Sequence, residues 1–346
     1  MMAVEQNRPQ SRERRSGDAG VPFVMIGIVN YNRPSDSIEC IASLLDSSYP
    51  NKELVLFDNG STNDSVLQIR RAFPLLSILE SKKNLGAAGA RNRVIRLALD
   101  KKPDYLLMID NDTIVEKGFL QPLVDAMEND TESAVACGTI LEYERRDIIW
   151  FGGGRLVPLR GLALHERVGE KFNLEHEGGP RRVSYITVCM TLYRVPLLEK
   201  MGEQDERYFV YLEDIEFAVR IHKRGYPQLY VPGSVIYHKV AGERTSAFKL
   251  YYCVRNRMLL TREGFGGLAG SIASLYFLAV IAVKLLLWKV IRPRFYVAAK
   301  AGLLDYFRGN FGEGRGTTLF TDARTQESTR THIAARENNS QISGGK

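Results

Sequence analysis

The sequence predicts an α/β chain with a mainly parallel, twisted sheet flanked by helices. Three observations carry this. Short apolar runs alternate with segments of helical periodicity through the front half of the 346 residues. Strands that alternate with helices need right-handed crossovers, which cover both faces of a parallel sheet. Acidic residues stand just past the ends of two of the apolar runs, where ligands bind in open sheets of this kind. The composition is ordinary for a globular protein, with 45% hydrophobic and 25% charged residues.

The elements follow in order. Phe23–Val29 is the first strand. Ser35–Leu45 is a helix, with Ile38, Ile41, Leu44 and Leu45 on one face. Leu54–Phe57 is a strand, Asn63–Phe73 a helix and Ser77–Leu79 a strand. Ala87–Leu99 is helical, and Tyr105–Ile109 is a strand that runs into Asp110-Asn111-Asp112. Residues 152–182 hold seven glycines and no long apolar period, which predicts loops and short strands around a substrate groove. Leu212–Lys223 is a helix; Leu229–Val231 and Val235–Tyr237 are strands. Residues 1–20 and about 317–346 are polar and are expected to be disordered tails.

Near the C-terminus, Gly264–Val283 has no charged residue, and Leu285–Trp288 extends the apolar run. It is long enough to span a bilayer. The basic residues that follow it and its internal glycines suit a helix lying in the membrane interface at least as well, and a helix packed on the domain is a third reading. The formal net charge is +7, and Lys284 to Arg308 carries six basic residues against one acid, Asp305. That cluster beside an apolar stretch points to an anionic membrane surface. Nucleic acid is the rival partner for positive charge, but no zinc-finger spacing or nucleic-acid motif is present. Cys40, Cys137, Cys189 and Cys253 follow no ligand spacing, as expected of free thiols in a reducing compartment. The polar, Arg-rich N-terminus has no apolar core of the kind a secretory signal needs.

The chemistry rests on five segments. Asp110 and Asp112 are two residues apart at a strand end, so their carboxylates point the same way if the chain stays extended. Such a pair suits Mg²⁺ or Mn²⁺ completed by substrate phosphates; the same residues also favour a simple turn. Asn30 lies in IVNYNR at the first strand end, and Asp58 in LFDNGST at the second. Asp58 suits a nucleobase or ribose, or an ordinary turn. In NLGAAGARN, Gly86 and Gly89 allow close backbone approach, and the helix start near Ala87 offers N–H groups to phosphate. Glu213 and Asp214 in YLEDIEFAVR fall at a helix start, which favours acids without any catalysis and also suits a general base at Asp214. His238 follows a strand, as a metal or phosphate contact or as a structural histidine.

The ordered set of IVNYNR, FDNGST, NLGAAGARN, IDND, YLEDIEFAVR, His238 and YYCVRN resembles the family-2 inverting glycosyltransferases of the GT-A fold, and among them the rhamnosyltransferase-like branch. The resemblance spans about Phe23 to Gly316. It implies a Rossmann-like nucleotide-binding half, an acceptor half and a C-terminal helical, membrane-associating segment, divided as 21–262 and 263–316. It implies that Asn30 and Asp58 contact the donor nucleotide, that Gly86 and Asn92 line the nucleotide-sugar pocket, and that Asp110 lies near ribose and sugar. It implies Asp112 as the metal ligand, with His238 completing metal or diphosphate binding. Asp214 is the implied catalytic base, with Glu213 positioning the acceptor. Arg255 and Asn256 match an Arg-Asn pair of the family and are expected near the donor. The chain departs from the pattern at Asn30, where Thr or Ser is more usual, and at 187–190, where a glycine is missing. The expected partners are a nucleotide-sugar donor and a glycan or lipid-linked acceptor, at the cytoplasmic face of a membrane. A nucleotidyltransferase and a non-catalytic subunit of a polysaccharide assembly complex are the rival readings.

Overall fold

The structure, a computed structural model, describes residues 20–239 and 246–320. The expected tails over 1–19 and 321–346 lie outside the described residues, while Thr317–Phe320 belong to the last helix. The front half is β1 (Val24–Asn30), α1 (Pro34–Asp46), β2 (Lys52–Asp58), α2 (Ser65–Ala72), β3 (Ser77–Glu80), α3 (Gly86–Lys101) and β4 (Tyr105–Asp110). Every strand and helix predicted there is present. The middle holds β5 (Thr113–Val115), α4 (Leu120–Asn129), β6 (Val135–Glu142), β7 (Ile149–Phe151), β8 (Gly154–Val157), β9 (Leu162–His165), β10 (Arg181–Val183), β11 (Met190–Arg194) and α5 (Val195–Met201). After it come α6 (Glu213–Lys223), β12 (Gln228–His238), α7 (Ala247–Leu259), α8 (Gly267–Ile291), α9 (Pro293–Phe307) and α10 (Gly316–Phe320).

The main sheet runs β10-β12-β6-β11-β4-β1-β2-β3, with β5 on β12 and β7 on β6. Strands β4, β1, β2 and β3 are all parallel. Strand β11 is antiparallel to both β4 and β6 and joins this half to the parallel β6–β12 pair. The two strands predicted near 229–237 are one, β12, whose register shifts between Val231 and Val235. Strands β6 and β11 and helices α4 and α5 extend the sequence-based reading, which passed over 113–151 and 183–201. The β11 and α5 runs are short, whereas β6 is eight residues long and α4 buries Leu120, Leu123, Val124 and Met127 at helical spacing, so these two carried a readable pattern.

The core lies on both faces of the sheet. In β1, Val24, Met25, Ile26 and Ile28 are fully buried, which is why the strand is a continuous apolar run. Gly27 is required there: a Cβ would stand 2.3 Å from Val94 Cγ1, so α3 packs directly on the backbone of β1. That close approach sets the height of α3, and with it Arg91, above the carboxyl end of β4.

The C-terminal helices form a hairpin. Gly270, Ala273, Phe277 and Ile281, three or four residues apart, are the buried stripe of α8. After Arg292 the chain turns at Pro293 into α9, whose Ala298, Ala299, Ala301 and Gly302 are buried. A Cβ on Gly302 would stand 2.5 Å from the Tyr251 carbonyl, so α9 lies against α7. Between these roots, residues 282–297 contain no buried residue.

Candidate active site

The site is built at the carboxyl ends of β1, β2 and β4, opposite the start of α6. Asn30 and Asp58 are paired in register across β1 and β2 and are both buried. Asp58 Oδ1 accepts from Asn30 Nδ2 at 2.7 Å and from Ser61 Oγ at 2.6 Å, and Oδ2 accepts from the Ser61 amide at 2.9 Å. Asn30 Oδ1 accepts from Ser37 Oγ at 2.8 Å, and Ser37 Oγ accepts from Asn111 Nδ2 at 2.9 Å. One hydrogen-bonded chain thus fixes the ends of three strands. Asn30 uses its amide oxygen and nitrogen inside that chain.

Asp110 ends β4 and keeps 34% of its side chain exposed. Burial pushes its carboxyl above the usual range; Arg91 pulls it down and Asp112 pushes it up. Asp112 is more enclosed. His238 Nε2 lies 3.2 Å from its Oδ1, and Arg33 Nη1 donates to its Oδ2 at 3.3 Å. Burial alone would raise this carboxyl, but His238 and Arg33 outweigh it and hold Asp112 below the usual range. Among the described residues no group of three His, Cys, Asp or Glu side chains forms a metal cage. Asp112 and His238 are a two-donor set of oxygen and nitrogen, with a second carboxylate beside it at Asp110. That fits a hard divalent cation carried mainly by substrate phosphates rather than a resident ion.

Glu213 and Asp214 are the first residues of α6. Arg91 is one of the residues that sequence reasoning missed. Its Nη1 donates to Glu213 Oε1 at 2.7 Å and its Nη2 to Asp110 Oδ1 at 3.0 Å. One buried guanidinium therefore ties the strand carrying the Asp-x-Asp pair to the helix carrying the Glu-Asp pair. Burial pushes Glu213 up, to about 7, against the attraction of Arg91. Arg91 had a signal in the sequence: it is the one charged residue among the small residues Gly86 to Ala90 and Asn92.

Asp214 Oδ2 accepts from the Tyr185 hydroxyl at 2.7 Å, and Oδ1 accepts from the Ile215 amide at 2.8 Å. Tyr185 was also missed. Burial, with the Asp214 charge next, pushes its phenol well above the ordinary value, so it stays a donor. Its ring stacks on His165, with centroids 5.9 Å apart, and His165 meets the edge of Trp150 at 4.7 Å. Trp150 in turn meets His238 at 4.6 Å. An unbroken line of rings thus connects the Asp112 side of the site to the Asp214 side. His165 comes from β9, inside the glycine-rich region 152–182 that was predicted to surround a groove, and Trp150 from β7, just before it.

Four predicted donor contacts are placed differently. Asn92 is fully buried on the inner side of α3; it donates to Gln204 O and Glu206 Oε1 and accepts from the Gln204 amide, so it binds the 204–206 turn. Gly86 has φ +74° and a Cβ there would stand 2.4 Å from the Phe209 carbonyl. The same carbonyl accepts from the Ala87 and Ala88 amides at 2.6 and 3.3 Å, so these N–H groups at the α3 start are not offered to phosphate. The expectation of a phosphate site there is corrected: α3 begins against protein. Arg255 and Asn256 are also fully buried, and their polar atoms engage backbone carbonyls before α6 rather than the space beside Asp110. All four residues contact the 204–212 segment that leads into α6.

The sequence profile of glycosyl transferase family 2 matches residues 25–202, more than half of the chain. Over 298 residues the chain is 23% identical to the dTDP-rhamnosyl transferase RfbF of Shigella flexneri, covering 83% of this chain and 96% of that protein. It is 27% identical over 220 residues to the N-acetylglucosaminyl-diphospho-decaprenol L-rhamnosyltransferase of Mycobacterium tuberculosis H37Rv, covering 58% and 70%. It is 30% identical over 150 residues to the glycosyltransferase GlyG of Streptococcus pneumoniae, covering 42% of this chain but about half, 48%, of that relative. Among solved structures, GalNAc-T7 with UDP, GalNAc and Mn²⁺ is similar with a TM-score of 0.54 at 16% identity, covering 80% of this chain and 59% of that one. The mannosyltransferase PcManGT of Pyrobaculum calidifontis, in complex with GDP-Man and Mn²⁺, has a TM-score of 0.50 at 15% identity, covering 83% and 87%. These likenesses agree with the GT-A architecture of the sheet. The chain belongs to glycosyl transferase family 2, as a glycosyltransferase whose relatives include rhamnosyltransferases.

Proposed function

We propose that the chain moves a sugar, with inversion, from a nucleoside-diphosphate donor to a hydroxyl of a glycan or lipid-linked acceptor, at the cytoplasmic face of a membrane. The observation that carries this is Arg91, which holds Asp110 and Glu213 on either side of one cleft. The Asp-x-Asp pair and the Glu-Asp pair are thereby two walls of a single site.

Asp58, already accepting bonds from Ser61 and Asn30, presents a fixed carboxylate to the nucleoside. Asp110 borders ribose and sugar. Asp112, with His238 beside it, would hold Mg²⁺ or Mn²⁺, which when bound neutralises charge growing on the departing diphosphate. Asp214 accepts the proton of the acceptor hydroxyl, and Tyr185 steadies its Oδ2 as that happens. The acceptor oxygen bonds to the anomeric carbon as the bond from that carbon to the diphosphate oxygen breaks on the opposite face. The walls hold the two substrates in line, which removes much of the entropic barrier. The name of the Shigella relative includes a dTDP-rhamnosyl group, and that of the mycobacterial relative a diphospho-decaprenol acceptor. These favour a deoxysugar donor and a lipid-linked acceptor.

The exposed tip of the α8–α9 hairpin supports an interfacial membrane contact. It carries Leu286, Leu287, Val290 and Ile291 with Lys284, Lys289, Arg292 and Arg294. If α8 crossed a bilayer, α9 would have to return through it, yet α9 is buried along α7. A hairpin dipping into one leaflet, with basic side chains at the headgroups, avoids that conflict.

A screen of UDP-, GDP- and dTDP-sugars with Mn²⁺, read as release of the nucleoside diphosphate, tests the reading. Release from at least one donor, abolished by EDTA, is expected. Inertness towards every nucleotide sugar, with pyrophosphate released from a nucleoside triphosphate and a sugar 1-phosphate, would make the enzyme a nucleotidyltransferase.

A further inference from the structure

The turn that delivers Glu213 and Asp214 is strained. Phe209, Tyr211 and Leu212 have φ of 63°, 66° and 70°, a left-handed conformation that bulky side chains avoid. Backbone of this kind persists only where its surroundings over-determine it.

The surroundings here are two adjacent side chains of α7. Asn256 Nδ2 donates to the carbonyls of Tyr208, Val210 and Tyr211 at 2.8, 2.9 and 2.8 Å. An amide has two hydrogens, so three converging carbonyls use it fully. Arg255 Nε donates to Asn256 Oδ1 at 2.9 Å, which fixes which way that amide faces. Arg255 Nη2 donates to the carbonyls of Arg207 and Tyr208 at 3.1 and 3.0 Å, and Nη1 to that of Gly312 at 2.8 Å. Both side chains are fully buried. No carboxylate among the described residues forms an ion pair with Arg255; its charge is met by carbonyl dipoles and by the ring of Tyr252 at 4.9 Å. A buried cation with no acid in direct contact is costly, and simple packing would be served better by an apolar side chain.

The same clamp reaches the C-terminal segment. The Gly312 amide donates to the Arg207 carbonyl at 2.8 Å. Asp305 of α9, fully buried, accepts from the Tyr251 hydroxyl at 2.6 Å and from Arg315 at 2.7 Å.

We propose that Arg255 and Asn256 are positioning residues that hold the left-handed turn before α6, and so set the Glu213-Asp214 pair on the cleft, while bracing that turn against the chain that follows α9. This rests on the reading of Asp214 as the base. It makes the C-terminal hairpin part of the catalytic architecture rather than a detachable anchor.

Hydrogen exchange of the full chain tests it, using Asn256→Asp, which replaces the donor with an acceptor of the same shape, and Arg255→Lys as the milder change. Amides of 207–214 are expected to exchange at least tenfold faster in each variant that folds, with those of β1 and β4 unchanged. Turnover, on whichever UDP-, GDP- or dTDP-sugar the wild type cleaves with Mn²⁺, is expected to fall at least about 30-fold with donor KM within threefold. Unchanged exchange over 207–214 in Arg255→Lys, or equal acceleration in β1 and β4, overturns the clamp. A loosened turn with full turnover overturns its catalytic importance. Full turnover in Asp214→Asn with a loosened turn in Asn256→Asp overturns the base reading alone and leaves the clamp standing.

Discussion

Arg91 and Glu213 are 122 residues apart in sequence and joined by a 2.7 Å hydrogen bond, with 11% and 6% of their side chains exposed. The second arm of the guanidinium holds Asp110, so both acids depend on one cation. Replacing Arg91 by alanine leaves two carboxylates at a low-dielectric site without it. The expected cost is about 3–5 kcal/mol of stability, because breaking a buried pair strands its partner. Urea unfolding of Arg91→Ala measures this, and a loss under about 1 kcal/mol contradicts the bridge.

Glu213 makes stability depend on pH with a definite sign. Its carboxyl is raised by burial from 4.5 to about 7 in the folded chain. Between those values the folded state binds more protons than the unfolded one, so stability falls as pH rises. The contribution is full below about pH 4.5 and gone above about pH 7. Glu213→Gln is expected to flatten that part of the stability profile. A wild-type and a variant profile with the same slope from pH 5 to 7 would remove Glu213 as the cause.

Asp214→Asn keeps the size of the side chain and can still meet Tyr185, but it cannot take up a proton. Transfer is expected to fall by a factor of about 10² to 10⁴, the range for loss of a general base. Binding of the nucleoside diphosphate with Mn²⁺, followed by calorimetry, is expected to stay within threefold. Full activity in the variant rules the assignment out.

Asp112→Asn removes the carboxylate that His238 and Arg33 face. Mn²⁺-dependent binding of the nucleoside diphosphate is expected to weaken at least tenfold, while metal-free binding changes little. If EDTA leaves wild-type turnover intact, Asp112 has another task.

The hairpin tip gives a prediction outside the cleft. Liposomes with phosphatidylserine are expected to carry the wild type in flotation, and neutral liposomes far less, because basic residues near a surface add about 1 kcal/mol each. Leu286→Asp with Leu287→Asp places two charges in the apolar face and is expected to abolish flotation. These residues are exposed, so the melting temperature is expected to hold.

The sequence made the front half of the fold legible because β1, β2 and β3 are each followed by a helix with a clear period. Asp58, Asp110, Asp112 and Asp214 stood out only through the ordered set of motifs, because acids at strand and helix ends also serve ordinary turns and helix starts. Strand β11 is only five residues long, and both it and β6 pair with strands far along the chain. Asn92, Arg255 and Asn256 stand in recognisable motifs, but motif membership does not say which way a side chain faces. Each turns inward to carbonyls of the 204–212 segment, a contact set by tertiary packing alone. Tyr185 had no local mark at all; only the folded chain brings it to Asp214.

The placement of β11 has a consequence for how the chain is made. Strands β1 to β4 and their helices come from one unbroken stretch that ends at residue 110. The open edge of β4 must wait for β11, which begins at residue 190, and β6 waits further for β12, which begins at residue 228. Domains gain structure as they leave the ribosome. The β4-β1-β2-β3 part of the sheet can therefore assemble early, with the β4 edge still bare, and is covered there only after residue 190 has been made.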